Sequence, residues 1–184
     1  RPAKMLGGAP FNNGQTSYDI ASGFSSNIFT GDAVELHTDG TITVAAAGAT
    51  NIIGVFNGCF YTDTNGKPTY SKHWPASTVA SDAVAFVLDD PNIVFEAQED
   101  STDIGASWPA NRGSNADLVS THAGSTKTGR SGMELDSSTI TAATAQFRIV
   151  DVVSDEYNSE TGSANGNYLV RINEGLHYAN TAGI

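Results

Sequence analysis

The chain has 184 residues, enough for a single domain with a real core, since hydrophobic residues make up 39% of it. Asp and Glu number 20 against nine Lys and Arg, a formal net charge of -11, and this argues against a nucleic-acid partner, which must be met with clustered cations. Charged residues are only 16% of the chain, so its polar surface is built from Ser, Thr, Asn and 19 Gly.

In chain order, residues 1–28 are rich in Gly, Asn and Ser and hold Pro2, Pro10 and Asn13-Gly14. They read as an extended N-terminal arm with one short strand near Ser17–Ala21. Arg1, Lys4, Phe11, Tyr18 and Phe24 are the arm's candidate partner-binding residues: two cations and three aromatic anchors. The β-domain is expected over 29–184. Its first part, FTGDAVELHTDGTITVAAAGATNIIGVFNG, alternates β-rich runs with Asp39-Gly40 and Asn57-Gly58, dipeptides that supply the positive φ of tight turns. Strands are expected at about 31–36, 41–45 and 52–61. The turn Asp63–Gly66 then leads to a strand over Pro68–Ser71, and Lys72–Ser77 reads as an ordered loop.

Ala83–Leu88 is nearly continuous apolar sequence, as a strand buried on both faces is. Asp89–Asn92 is a turn signal and the strand over 93–98 follows it, so these two strands are expected to form the central hairpin. From about 99 to 138 polarity rises, and the segment is expected as one long loop excursion with short strand pieces near Asp117–Ser120 and Met133–Leu135. Its apolar residues Ile104, Trp108, Leu118, Val119 and Met133 are expected to meet a partner surface, with Trp108 as the anchor; the alternative is that Trp108 caps its own barrel. Strands at 147–153 and 168–173 close the domain, joined by a polar loop over Ser154–Asn167. Helical turns are expected only at Ser101–Ser107 and Thr141–Gln146. The fold expected is all-β, a single antiparallel barrel or sandwich.

No catalytic, cofactor-binding or metal-binding residue is assigned. The histidines, His37, His73, His122 and His177, lack the close spacing of a zinc pair. Cys59 is the only cysteine, lies in the apolar run IIGVFNGCFY, and reads as a small buried hydrophobe. The KTG triplet at Lys127–Gly129 lacks the partner motif that would give it meaning. The chain is expected not to be an enzyme. Loop calcium near Asp63 or Asp89 is an alternative, as is sugar stacking on Trp74, Trp108 and Tyr70. No apolar run is long enough for a membrane helix and no signal peptide is expected in these residues; the first residue is Arg1 rather than Met, which leaves room for residues upstream.

Several runs together resemble the head decoration, or cement, proteins of tailed bacteriophages. They are Arg1–Ala9, Phe29–Val34 (FTGDAV), Asn51–Gly58 (NIIGVFNG), Trp74–Ser77 (WPAS), and Asp89–Pro91 through Phe95–Gln98. The resemblance spans most of 1–135. It implies a virion structural protein on the outer capsid surface, assembled in the host cytoplasm. Such a protein bridges subunits of the phage major capsid protein, as a homo-oligomer (trimer or dimer) without cofactors. Another virion β-domain (tail, collar or fibre adaptor) and a carbohydrate-binding adhesin module are the alternatives.

Overall fold

The computed structural model describes residues 1–101, 103–141, 143–154 and 164–177. Fifteen strands are present: β1 (Pro2–Met5), β2 (Thr16–Asp19), β3 (Ile28–Phe29), β4 (Ala33–Leu36), β5 (Ile42–Val44), β6 (Ile52–Thr62), β7 (Pro68–Ser71), β8 (His73–Trp74), β9 (Val84–Leu88), β10 (Ile93–Gln98), β11 (Asn115–Ala116), β12 (Leu118–Val119), β13 (Glu134–Leu135), β14 (Phe147–Val152) and β15 (Asn167–Ile172). One helical turn, α1 (Asp103–Ala106), and one 3-10 turn over Ser137–Thr139 complete the described elements. The fold is all-β, and every paired strand is antiparallel to its neighbour.

Two sheets dominate. The first runs β2-β9-β6-β4-β5, with β7 pairing the second half of β6, and the second runs β1-β10-β15-β14-β11. Strand β6 explains why the first sheet is central. Its side chains alternate between two apolar clusters: Ile52 and Val55 belong to one, Ile53, Phe56 and Cys59 to the other. The same division separates Ala33 from Val34 and Leu88 from Val87. One face of the first sheet therefore packs on Phe95, Phe147, Ile149 and Val170 of the second sheet. Its other face is covered by Ile28, Trp74, Ala80 and Ala83, carried by the β3–β8 ribbon and its flanking loops. This is sheet-on-sheet packing with a third, irregular layer.

Gly54 sets how closely β6 lies against the end of β9. A Cβ there would lie 2.7 Å from Val87 Cγ1 and closer still to the Leu88 carbonyl oxygen. Only glycine lets β6 lie this near the end of β9. There the chain leaves the first sheet, because Asp89 is held by the Thr16 hydroxyl (3.0 Å) and the Tyr18 hydroxyl (2.8 Å). The expected central hairpin is thus not formed. Strands β9 and β10 follow one another through Asp89–Asn92 but belong to different sheets, each finding its neighbours elsewhere.

Other expectations are also revised. Asn57-Gly58 makes no tight turn: Gly58, at φ 136°, forms a bulge inside β6, which covers the strand expected over 52–61 and has 11 residues in all. The arm is paired along the domain, with Pro2–Met5 against β10 and Thr16–Asp19 against β9, so no structural boundary falls at residue 28. The 99–138 segment is built into the core. Ile104 and Leu135 are wholly buried and Leu118 nearly so, all in the inter-sheet cluster. Its polarity misleads because polar side chains, its own and that of Gln146, tie its backbone down. The buried Glu99 carboxylate accepts from the Ile104 amide (3.0 Å), Gln146 Oε1 accepts from the Leu118 amide (2.9 Å), and Asp100 accepts from the Ser137 amide (3.0 Å). No helix forms among the described residues of 141–146, since Thr141 exchanges both backbone hydrogen bonds with Asn115. Most of the polar loop expected over 154–167, and the chain beyond 177, lie outside the described residues.

Candidate binding surfaces

Sheet one is longer than the cover that sheet two gives it. On the face that carries Leu88, Val55 and Ile52 into the inter-sheet core, the neighbouring positions are Phe86 on β9, Phe60 on β6 and Tyr70 on β7. Phe86 precedes Leu88 by two residues and so projects to the same side. Phe60 and Tyr70 are direct cross-strand partners, and Phe86 stands opposite Gly58. Tyr70 and Phe60 meet with ring centroids 4.8 Å apart, and Tyr70 and Phe86 stack at 6.4 Å with only 10° between planes. Tyr70 and Phe86 reach each other across the bulge at Gly58, where no side chain fills the gap. None of the three joins either apolar cluster, and Tyr70 is 78% exposed.

This row has an ionised border. The Asp82 carboxylate accepts from the Thr62 hydroxyl and amide, and Asp63 from the amides of Asn65 and Lys67. These hydrogen bonds hold both carboxyls below the usual range, as charged acceptors. Asp19, exposed on β2 beside Val84, adds a third negative charge. An aromatic strip flanked by carboxylates suits a partner that offers apolar groups and cations.

The second feature is a cleft of about 440 Å³ between the two sheets. Its interior is apolar: Val55 and Leu88 from one sheet, Phe95, Phe147 and Val170 from the other. Its mouth is polar, with Arg1, Glu96, Gln98, Asn57 and Arg130. Arg1 is paired with Glu96, at 2.6 Å from Nη2 and 2.8 Å from Nε. Arg130, on an exposed turn bridged to Thr30, has a guanidinium with no ion pair or hydrogen bond to a side chain among the described residues.

A second cavity, lined by Asp32, His122 and Ser26 among others, holds the buried Asp32, whose carboxylate accepts from the Phe29 amide (2.8 Å). Burial raises the Asp32 pKa, against the opposing hydrogen bonds from Ser131 and Phe29. No group of three or more His, Cys, Asp or Glu that could hold a metal occurs among the described residues. The histidines sit on separate elements: His37 beside Asp39 (3.1 Å), His122 beside Glu134 (2.7 Å), His177 beside Asp89 (3.5 Å), and His73 stacked on Phe29 (5.7 Å). Burial pushes the Cys59 thiol up to about 12, so it stays protonated, and Sγ donates to the His73 carbonyl oxygen at 3.5 Å.

The six partner-binding candidates are not brought together. Arg1 lies on the cleft mouth and Lys4 on β1. Phe11 packs on the inter-sheet cluster, and Tyr18 and Phe24 on the other. Trp108, expected to anchor a partner, packs on its own domain: its ring lies 5.9 Å from that of Tyr168, with the Arg112 guanidinium 5.1 Å from its centroid. Of the three aromatics weighed as sugar platforms, Trp74 is wholly buried, Trp108 is partly buried, and only Tyr70 faces solvent. Phe60, Phe86 and Arg130 were missed. The signal for Phe60 was present, because a hairpin centred on Asp63–Gly66 pairs position 60 with position 70.

No family model, no curated protein and no solved structure matches this chain.

Proposed function

We propose that the protein is a virion structural component that decorates the outside of a phage capsid and stabilises the shell by bridging major capsid protein subunits. The partner's identity rests on the resemblance of the runs between Arg1 and Gln98 to head decoration proteins. The binding surface rests on one observation: among the described residues, the half of the sheet face carrying Phe60, Tyr70 and Phe86 belongs to neither apolar cluster and leaves Tyr70 exposed, although the adjoining half is core. A passive clamp requires such a rigid, exposed strip and no chemistry. Many identical contacts over a closed shell then add through avidity. The acidic border and the net charge of -11 direct the strip toward a basic surface.

The test is reconstitution on capsids stripped of decoration, with occupancy read from particle images and DNA retention read during heating. The parent chain should bind and raise the temperature of DNA release. Tyr70→Ala should lower occupancy while the free protein melts almost as before, and Phe86→Ser should lower occupancy with a fall in Tm of a few degrees, since Phe86 is half-buried. Normal occupancy by both variants would remove this face from the proposal. Absence of the protein from particles, with Tyr70-dependent retention on a neutral polysaccharide column, would favour the carbohydrate-binding reading, which the exposure of Tyr70 alone supports.

A further inference from the structure

We propose that the inter-sheet cleft is a second binding site, which takes an extended peptide segment bearing an apolar side chain next to a carboxylate. The cleft adjoins the aromatic strip along β6 and β9, but none of the three rings lines it, and it does not depend on what that strip binds. Its volume, about 440 Å³, is within the range of pockets that hold a specific ligand, and is enough for one or two large side chains. Val55, Leu88, Phe95, Phe147 and Val170 line it from both sheets, so an entering apolar group would complete the sandwich core along its open end. Those walls are strand residues held by ladder hydrogen bonds.

The mouth decides the ligand's charge. Glu96 is paired with Arg1, which leaves Arg130 as the charge at the opening without an ion pair among the described residues. An unpaired guanidinium beside a desolvated pocket favours a carboxylate, with which it makes two parallel hydrogen bonds. The mouth also carries the Asn57 and Gln98 side chains, groups that suit a peptide backbone better than a bare hydrocarbon. The occupant is therefore a segment of a partner protein that presents Leu or Phe followed by Asp or Glu. The charge complementarity that selects it is opposite in sign to that of the aromatic strip.

The experiment uses the full chain with labelled methyl groups and three probes: the peptide acetyl-Ser-Leu-Phe-Asp-Ser-amide, its Lys-for-Asp counterpart, and octanoate. The acidic peptide should bind saturably and shift the methyl signals of Val55, Val170 and Met133 without moving the Tyr70 ring signals. The lysine peptide should bind about tenfold more weakly, and Arg130→Glu should reverse that order. Ala97→Leu, at the cleft wall, should weaken both peptides while the circular dichroism stays unchanged. Equal affinity for the two peptides, or no saturable shift, overturns the proposal. Octanoate binding as tightly as the acidic peptide overturns the peptide assignment in favour of a small amphiphile. Since none of these readouts involves Tyr70 or a capsid, failure here leaves the decoration reading untouched, and failure of decoration leaves the cleft standing.

Discussion

Trp108→Ala separates the two roles that this residue could play. A tryptophan held for a partner contributes little to the isolated chain, whereas one packed on its own core contributes much. Truncating a fully buried large aromatic to Ala costs about 3–5 kcal/mol. Trp108 is partly buried, so roughly half of that, about 2 kcal/mol, is expected. The contacts account for it: the tilted ring pair with Tyr168 is worth about 0.5–1.5 kcal/mol and the Arg112 guanidinium over the indole about 0.5–1 kcal/mol. For a chain of this size, about 2 kcal/mol corresponds to a fall in Tm of roughly 4–8 °C. Calorimetry on the free protein measures it, with Arg112→Ala as the companion variant, expected to lose a smaller part of the same amount. A Tm within about a degree of the parent would refute the reasoning, because a shift below that limit corresponds to less than about 0.5 kcal/mol.

Three further outcomes follow from the packing. Gly54→Ala should cost at least about 3 kcal/mol, since the added methyl meets the Leu88 carbonyl and Val87 without room to relax; a soluble variant with parental urea midpoint would contradict that contact. Glu99→Gln should change the pH profile: burial raises the Glu99 pKa in the fold, so protonation favours folding below the ordinary glutamate range and that advantage disappears as pH rises through the folded value. The variant, which never ionises, should gain stability relative to the parent as pH rises above the ordinary glutamate range, read by thermal melts, and a difference that does not change with pH would rule out a titrating Glu99. Deleting residues 1–5 should lower the Tm and promote aggregation visible by light scattering, because it exposes the edge of β10; an unchanged monodisperse protein would mean that β1 contributes no protection.

Much of the sheet architecture was legible from local signals. The alternation and turn dipeptides between Gly31 and Ser71 mark β4 to β7, because each of those strands pairs with one close in sequence. Partnership across sheets was not legible. The sequence Val84–Gln98 has the form of a hairpin, and only the close approach allowed by Gly54, with the hydroxyl clasp on Asp89, sends its halves to different sheets. The 99–138 segment failed differently. Polar residues such as Glu99, Asn115 and Gln146 are ordinarily surface markers, but here they are buried and satisfied by backbone groups. Of the candidate surfaces, Tyr70 could be singled out as an aromatic, but its exposure depends on where the second sheet ends. Arg130 is one cation among nine until the fold sets it at a cleft.

The split of β9 and β10 between sheets also sets an order of assembly. Every strand of the first sheet lies between Thr16 and Leu88, so that sheet can form as soon as this stretch leaves the ribosome. The second sheet cannot: Pro2 pairs with Phe95, and Phe95 with Val170, so the start, middle and end of the chain must meet in it. Until then the face bearing Ala33, Ile52, Val55 and Leu88 stands bare. Such long-range closure is slow. The nascent protein passes through a half-sandwich with an apolar face, and that interval is when misassociation threatens it. Pulse proteolysis of ribosome-bound chains should find protection over 16–88 well before protection over 93–98, and simultaneous protection of both would contradict this order.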